Sequence, residues 1–207
     1  MSGIIVKRVE SEEEINALKK LRYKIYCEQL GWIKHDKYPD GIEQDAYDNH
    51  SIHFGAFKDG KAIGAIRLIK ENPTVFPIHS ICDLWDSENS KLKDSRTSEI
   101  SRLIVDTSIE KMPRSAITLG LIKQLYYASK YHEGITHWYA SFDVNVHRLI
   151  GILGFKFSPL GAPVYFMGSK TVPAILSKSE LDAHLSKNND KLYKYLNSPK
   201  EMFYNTP

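Results

Sequence analysis

The amino-acid sequence predicts an α/β fold on a mixed sheet with helices on both faces. Three observations carry that expectation: a capped helix directly after a first strand, an Asp-Gly hairpin, and a later strand, helix, strand, helix order. Ile4 to Val9 alternates weakly and reads as the first strand. Ser11 opens a capping box with Glu14, and Ile15, Leu18, Leu21, Arg22, Ile25 and Tyr26 then recur at helical spacing, extending the first helix to Gln29. A loop from Gly31 to Asn49 carries Trp32, Asp45 and Asp48.

Ser51 to Phe57 and Lys61 to Ile69 read as strands joined by Lys58-Asp59-Gly60, whose Asp-Gly pair favours a tight hairpin. Asn72 to Thr97 reads as irregular with one short helical turn, and Glu99 to Asp106 as a strand apolar on both faces. Next come a helix over Pro113 to Tyr131, a strand over Thr136 to Phe142, a short helix over Val144 to Leu153, and closing strands at Phe155 to Phe157 and Val164 to Met167. A polar C-terminal helix over 179–196 precedes a frayed tail, 197–207. With no internal repeat, residues 1–207 read as one domain.

A 207-residue chain with 42% hydrophobic and 26% charged residues excludes disordered and collagen-like classes. No apolar run reaches the ~18 to 20 residues of a membrane span, and Met1 to Glu10 lacks the layout of a signal peptide, so a cytoplasmic protein is expected. A net charge of +3 is too balanced for a dedicated nucleic-acid binder, yet leaves room for a basic patch toward an acidic partner. Cys27 and Cys82 make no disulfide scaffold, and His50-x2-His53 has no third ligand at useful spacing, so no metal is expected.

Several charged residues sit where charge is costly. Arg22 lies on the apolar face of the first helix and either snorkels to solvent, the commoner outcome, or meets a carboxylate in a cleft. Arg67 falls between Ile66 and Leu68, a position that demands a partner if buried. Glu99 and Arg102 open an apolar strand, where residues three apart face opposite ways unless the strand is bulged or starts late. The bland alternative is two unrelated ion-pair partners.

Arg22-x3-Tyr26-x5-Trp32, Asp45-x2-Asp48, Gly64-x2-Arg67 and Glu99-x2-Arg102 together resemble the signature of the acyl-homoserine-lactone synthases, with Tyr26 where Phe is usual. Tyr26 to Trp32, Tyr47 to His53, Ser98 to Leu103 and Pro159 to Pro163 are more similar to the related N-acyl amino acid synthases, including exosortase-associated acyltransferases. The resemblance spans about Glu10 to Gly168. It implies a GNAT-like acyltransferase fold with a mixed, mostly antiparallel sheet, acyl transfer from acyl-carrier protein to an amine, and a cleft formed by the Arg, Asp, Glu and Arg positions.

Within that fold, acetyl-coenzyme-A enzymes cradle a diphosphate on a Gly-rich loop at a helix N-terminus. Here Arg114-Ser115-Ala116-Ile117-Thr118-Leu119 has no glycine, and Ile150 stands where a thiolate-protonating Tyr is common. The expected donor is therefore an acyl-phosphopantetheine on a carrier protein, with no bound cofactor, and Arg114, Lys123, Arg148 and Lys156 are candidates to meet its phosphate or acidic surface. Glu99 is the candidate to accept the amine proton, and backbone N–H groups near Leu103, Ile104 and Val105 to hold the oxyanion. Arg102, then Arg22 and Arg67, offer forks for a substrate carboxylate. Asp45 and Asp48 are expected to hold these arginines. Trp32, Phe76, Trp85, Trp138 and Phe142 are candidate walls of an acyl tunnel, although aromatics are more often core. The rival functions are a lactone synthase using S-adenosylmethionine and a non-catalytic binding module of the same fold.

Overall fold

The computed structural model describes residues 3–70, 76–85, 96–109 and 114–198, and the backbone of 202–205. In chain order its elements are β1 (Gly3–Val9), α1 (Glu12–Tyr23), a π-helical segment (Lys24–Gln29), β2 (Ser51–Lys58), β3 (Lys61–Ile69), α2 (Pro77–Ile81), β4 (Thr97–Val105) and α3 (Arg114–Tyr131). They continue with β5 (His137–Asp143), α4 (Val144–Ile152), β6 (Ser158–Pro159), β7 (Val164–Phe166), β8 (Ser169–Ser177), α5 (Lys178–Asn188), α6 (Asp190–Asn197) and β9 (Met202–Asn205). The class is the expected mixed α/β one, with mostly antiparallel strand pairs and a parallel β4/β5 pair. Two compact units are formed: Met1–Leu68 with Arg102–Tyr126 and Pro199–Pro207, and Ile69–Ser101 with Tyr127–Ser198. The boundary falls inside β4.

In the first unit the strands run in the order β9, β1, β2, β3. The hairpin forms where the Asp-Gly pair is, and Asp59 and Gly60 both take positive φ, 50° and 76°, as a two-residue connection requires. Ser11 caps α1 by accepting the Glu14 N–H at 3.3 Å. The helix expected to run on to Gln29 widens instead into a π-helix at Lys24, and Leu30 N–H reaches the Ile25 carbonyl five residues back at 2.9 Å. That turn drives Ile25 and Tyr26 into a core with Val9, Leu18, Leu21, Phe57, Ala65 and Ile104. Gly64 lets β3 lie close under α3: a Cβ there would sit 3.1 Å from Ile117 and 3.2 Å from Leu121.

The second unit contains β6, β8 and β5 in that order, with β7 on β8 and the first half of β4 parallel to β5. Trp138 and Ser129 tie β5 to the end of α3 through an Nε1–H to Oγ hydrogen bond of 3.1 Å. The strand pattern near the C-terminus differs from expectation. β8 has no counterpart among the expected strands; it runs through Pro173, whose carbonyl accepts from Leu160 N–H at 2.9 Å. Phe155 to Phe157, expected as a strand, form an irregular stretch after the turn at Leu153 and Gly154, and the following strand starts at Ser158. The single helix expected over 179–196 breaks at Asn189, whose side chain caps the next helix by accepting Leu192 N–H at 3.1 Å. Residues 202–205 of the tail, expected to fray, pair antiparallel with β1 and belong to the first unit. Of the irregular 72–97 segment, α2 is described; residues 71–75 and 86–95, like Pro113, lie outside the described residues.

Candidate active site

In the first unit α1, the 43–48 loop, β3 and the end of β4 bring Arg22, Arg67 and Arg102 onto Glu43, Asp45 and Asp48. Arg22, 1% exposed, donates from Nε to Glu43 and from its two terminal nitrogens to Asp48 at 2.7 and 3.1 Å. Arg67, equally buried, forks onto Asp45 at 2.6 and 3.0 Å and reaches Asp48 at 2.7 Å. Arg102 donates from Nη2 to Glu43 and to Asp45, both at 2.8 Å, and from Nε to Glu43 at 3.3 Å. The loop is folded to deliver these acids. Asp45 accepts Tyr47 N–H at 2.9 Å, Asp48 accepts Asp45 N–H at 2.9 Å, and the buried His53 ring meets the Asp48 carbonyl at 3.2 Å.

Burial on its own would raise the pKa of each acid. Hydrogen bonds and charge from Arg22 and Arg67 outweigh it at Asp48, and Arg102 and Arg22 do so at Glu43, so both carboxyls lie below their ordinary range. Burial would likewise discharge Arg102, but Glu43 holds it charged. The cluster is thus closed on one side and open on the other. Arg22, Glu43, Asp48 and Arg67 have side chains at most 4% exposed, whereas Arg102 and Asp45 keep 17% and 25%. Nη1 of Arg102 has no hydrogen-bond partner among the described residues, and its guanidinium stands 5.8 Å over the Tyr26 ring. Tyr26 in turn stacks on Trp32 at 6.0 Å, held there by Trp32 and Ile33 N–H groups that both donate to the Tyr26 carbonyl.

Glu99 belongs to the second unit. It is 2% exposed and accepts the Ile78 N–H from α2 at 3.0 Å. In the parallel ladder its direct neighbour is Tyr139, whose phenol is pushed up to about 12 by burial and then by the Glu99 charge. Tyr139 packs with Ile78 and Leu160, flanked by Phe76, Leu84 and Ile175. Simple strand alternation does not hold along β4, because Arg102 takes a left-handed backbone with φ 55°.

Several sequence-based assignments change. Arg22 does not snorkel, and Arg22 and Arg67 spend their forks on protein carboxylates, so neither presents one to a substrate. Lys123 is 2% exposed, its pKa lowered by burial, which removes it from any surface that meets a carrier; Arg114, Arg148 and Lys156 are exposed. Phe142 packs edge to face on Phe157 at 4.9 Å, an odd number of strand positions from Tyr139, and Trp138 bonds Ser129, so both are core aromatics. Trp85 is half exposed, while Phe76 lies 5.9 Å from Tyr139. Ile104 is in the first unit's core; Leu103 and Val105 are partly buried. Glu43 was missed, although Glu43-x-Asp45-x2-Asp48 is a visible acidic spacing opposite arginines that need partners.

Among the described residues no group of His, Cys, Asp and Glu could hold a metal, and no helix is long and apolar enough to cross a membrane. No curated protein matches the sequence. Among solved structures the chain is similar to BjaI, a CoA-dependent acyl-homoserine lactone synthase solved with SAM and isopentyl-CoA: 21% identity, TM-score 0.68, covering 96% of this chain and 92% of that one. It is also similar to FeeM, an N-acyl amino acid synthase from uncultured soil microbes, at 17% identity and TM-score 0.67, with 89% and 96% covered. The AHL synthase LasI shows 18% identity and TM-score 0.66, with 86% and 91% covered. These neighbours have GNAT-like acyltransferase folds, as this chain does. The family model for autoinducer synthases matches residues 7–184, and on that extent the chain belongs to the autoinducer synthase family of acyltransferase enzymes.

Proposed function

We propose that the protein transfers a long-chain acyl group from acyl-carrier protein to the amino group of an amino acid. The observation that carries this reading is the unpartnered Nη1 of Arg102 beside the partly exposed Asp45, a positive donor next to a negative acceptor, which suits a zwitterionic acceptor. Arg102 takes the carboxylate. Glu99 takes the amine proton, and the amine attacks the thioester carbonyl. Backbone N–H groups among Leu103 to Val105 stabilise the oxyanion, and its collapse expels the thiol. Most of the acceleration comes from alignment and charge, because a thioester is already reactive.

The absence of glycine from Arg114 to Leu119, and a buried Ile150 where a Tyr would protonate a departing thiolate, support a carrier-protein donor. Exposed Arg114, Arg148 and Lys156 provide positive charge for an acidic carrier. The test is mass spectrometry of lipid extracts from an expressing bacterial host, paired with a rate comparison of acyl-carrier protein and acyl-CoA of one chain length at low and moderate salt. New N-acyl amino acids, and carrier-protein rates that fall with salt, are expected. Lactone products that depend on S-adenosylmethionine would replace the acceptor assignment, and equal use of acyl-CoA would replace the donor.

A further inference from the structure

The π-helical turn seats the Tyr26 ring beside Arg102. Tyr26 is 7% exposed, packs in the core of the first unit with Leu18, Ile25 and Ala65, stacks on Trp32, and has the Arg102 guanidinium over its ring at 5.8 Å. Phenylalanine would make each of these contacts equally well. What it would lack is the hydroxyl, and among the described residues that hydroxyl has no hydrogen-bond partner. An enclosed hydroxyl left unpaired destabilises a fold relative to the bare ring, so its presence here points to a bound group that accepts from it. Burial raises the pKa of the phenol and outweighs the charges acting on it, Arg102 foremost and then Glu43, so the hydroxyl stays protonated and acts as a donor.

We propose that the Tyr26 hydroxyl is a second donor to the acceptor's carboxylate, Arg102 Nη1 holding one oxygen and Tyr26 Oη the other, so that the site selects free amino acids over amines and amino-acid amides. This rests on the proposed amino-acid acceptor. A carboxylate is normally gripped by two nitrogens of one guanidinium. Arg102 has already spent Nε and Nη2 on Glu43 and Asp45, so Nη1 supplies half of such a fork and leaves the second carboxylate oxygen in need of a donor. The phenol, directly under the guanidinium, is placed to complete the pair. An amide presents an N–H group where the carboxylate has that second oxygen, and a donor facing the phenol's donor is repelled. Tyr26 binds the acceptor and takes no part in proton transfer.

The experiment follows thiol release and amide formation by the full chain, with hexadecanoyl thioesters of carrier protein and of coenzyme A as donors and each protein amino acid compared with its amide as acceptor. Tyr26→Phe is expected to raise the amino-acid KM about 10-fold with kcat within about twofold, and to cut the wild-type preference for acid over amide, as a ratio of kcat/KM values, about 10-fold. Its melting temperature is expected to be no lower than that of the wild type. An unchanged KM with an unchanged acid-to-amide ratio overturns the contact while leaving acyl transfer intact. So does an equal loss toward acid and amide, which marks a displaced ring and not a missing donor. A wild-type protein that uses amides as readily as free amino acids, or that releases no thiol with any pair, overturns the amino-acid acceptor and this contact with it.

Discussion

Arg22 and Arg67 share a single acceptor atom: Oδ1 of Asp48 receives a guanidinium N–H from each at 2.7 Å. One buried oxygen therefore locks α1 to β3 through the intervening loop. Removing its charge leaves three arginines facing two carboxylates, Arg22 on Glu43 and Arg67 on Asp45, and Asp48→Asn is expected to cost about 3 kcal/mol in denaturant unfolding at neutral pH. The pKa of Asp48 is lower folded than unfolded, so its stabilisation is full above the unfolded value near 4 and is lost as pH falls toward the folded one. The wild-type advantage over Asp48→Asn should accordingly shrink as pH drops below about 4. An advantage that stayed constant down to pH 2 would place the charge elsewhere.

Arg102 combines a left-handed backbone with the cluster's one outward donor. Arg102→Ala keeps the strained φ and loses the guanidinium, whereas Arg102→Gly loses the guanidinium and relieves the strain. Both variants are expected to lower kcat/KM by ~10²-fold or more, with the glycine variant about 1 kcal/mol more stable than the alanine one. Equal stabilities would remove the backbone argument.

Glu99→Gln keeps an oxygen for the Ile78 N–H and discards the base. Turnover is expected to fall by ~10²-fold with the melting temperature nearly unchanged. Wild-type rates would move proton abstraction to another group.

Lys178 opens α5 with its Nζ buried and, among the described residues, lacking a hydrogen-bond partner, and desolvation lowers its pKa from 10.5 to about 8, against the pull of Asp182 and with the push of Lys130. The unfolded chain holds this proton more tightly, so the penalty is full below pH 8 and is relieved as pH rises from 8 to 10.5. Lys178→Met should raise stability at pH 7 by up to about 3 kcal/mol, and its lead over wild type should fade at alkaline pH. A destabilised variant at pH 7 would show that the ammonium is solvated.

The features legible in the sequence are those that short-range chemistry decides. Ser11 and Glu14 announce the start of α1, and Asp59-Gly60 announces the hairpin, because each signal and its consequence lie within a few residues. The fate of Arg22 was not legible. Its partners arrive 21 and 26 residues later from a loop with no periodicity, and nothing local distinguishes a buried guanidinium from a snorkelling one. Glu43 was overlooked although its spacing to Asp45 and Asp48 is visible, because nothing local ties that acidic run to Arg22. The pairing of β9 with β1 joins residues 202–205 to 3–6, and β8 finds its partner in β5, some thirty residues upstream, so neither pairing has a local signal.

The π-helical segment bears on how the chain tolerates changes in length. A π turn holds about one residue more than an α turn, so Lys24 to Gln29 behaves as an insertion absorbed without breaking the helix. Deleting Glu28 would let the backbone relax to ordinary α geometry with its hydrogen bonding intact. It would also rotate the residues downstream of the deletion by about 100° and pull the Tyr26 carbonyl away from Trp32 and Ile33. Such a shortened chain would have lost the ring stack beneath Arg102, whereas an added residue in the 34–42 stretch, beyond Trp32 and Ile33, would leave that stack in place.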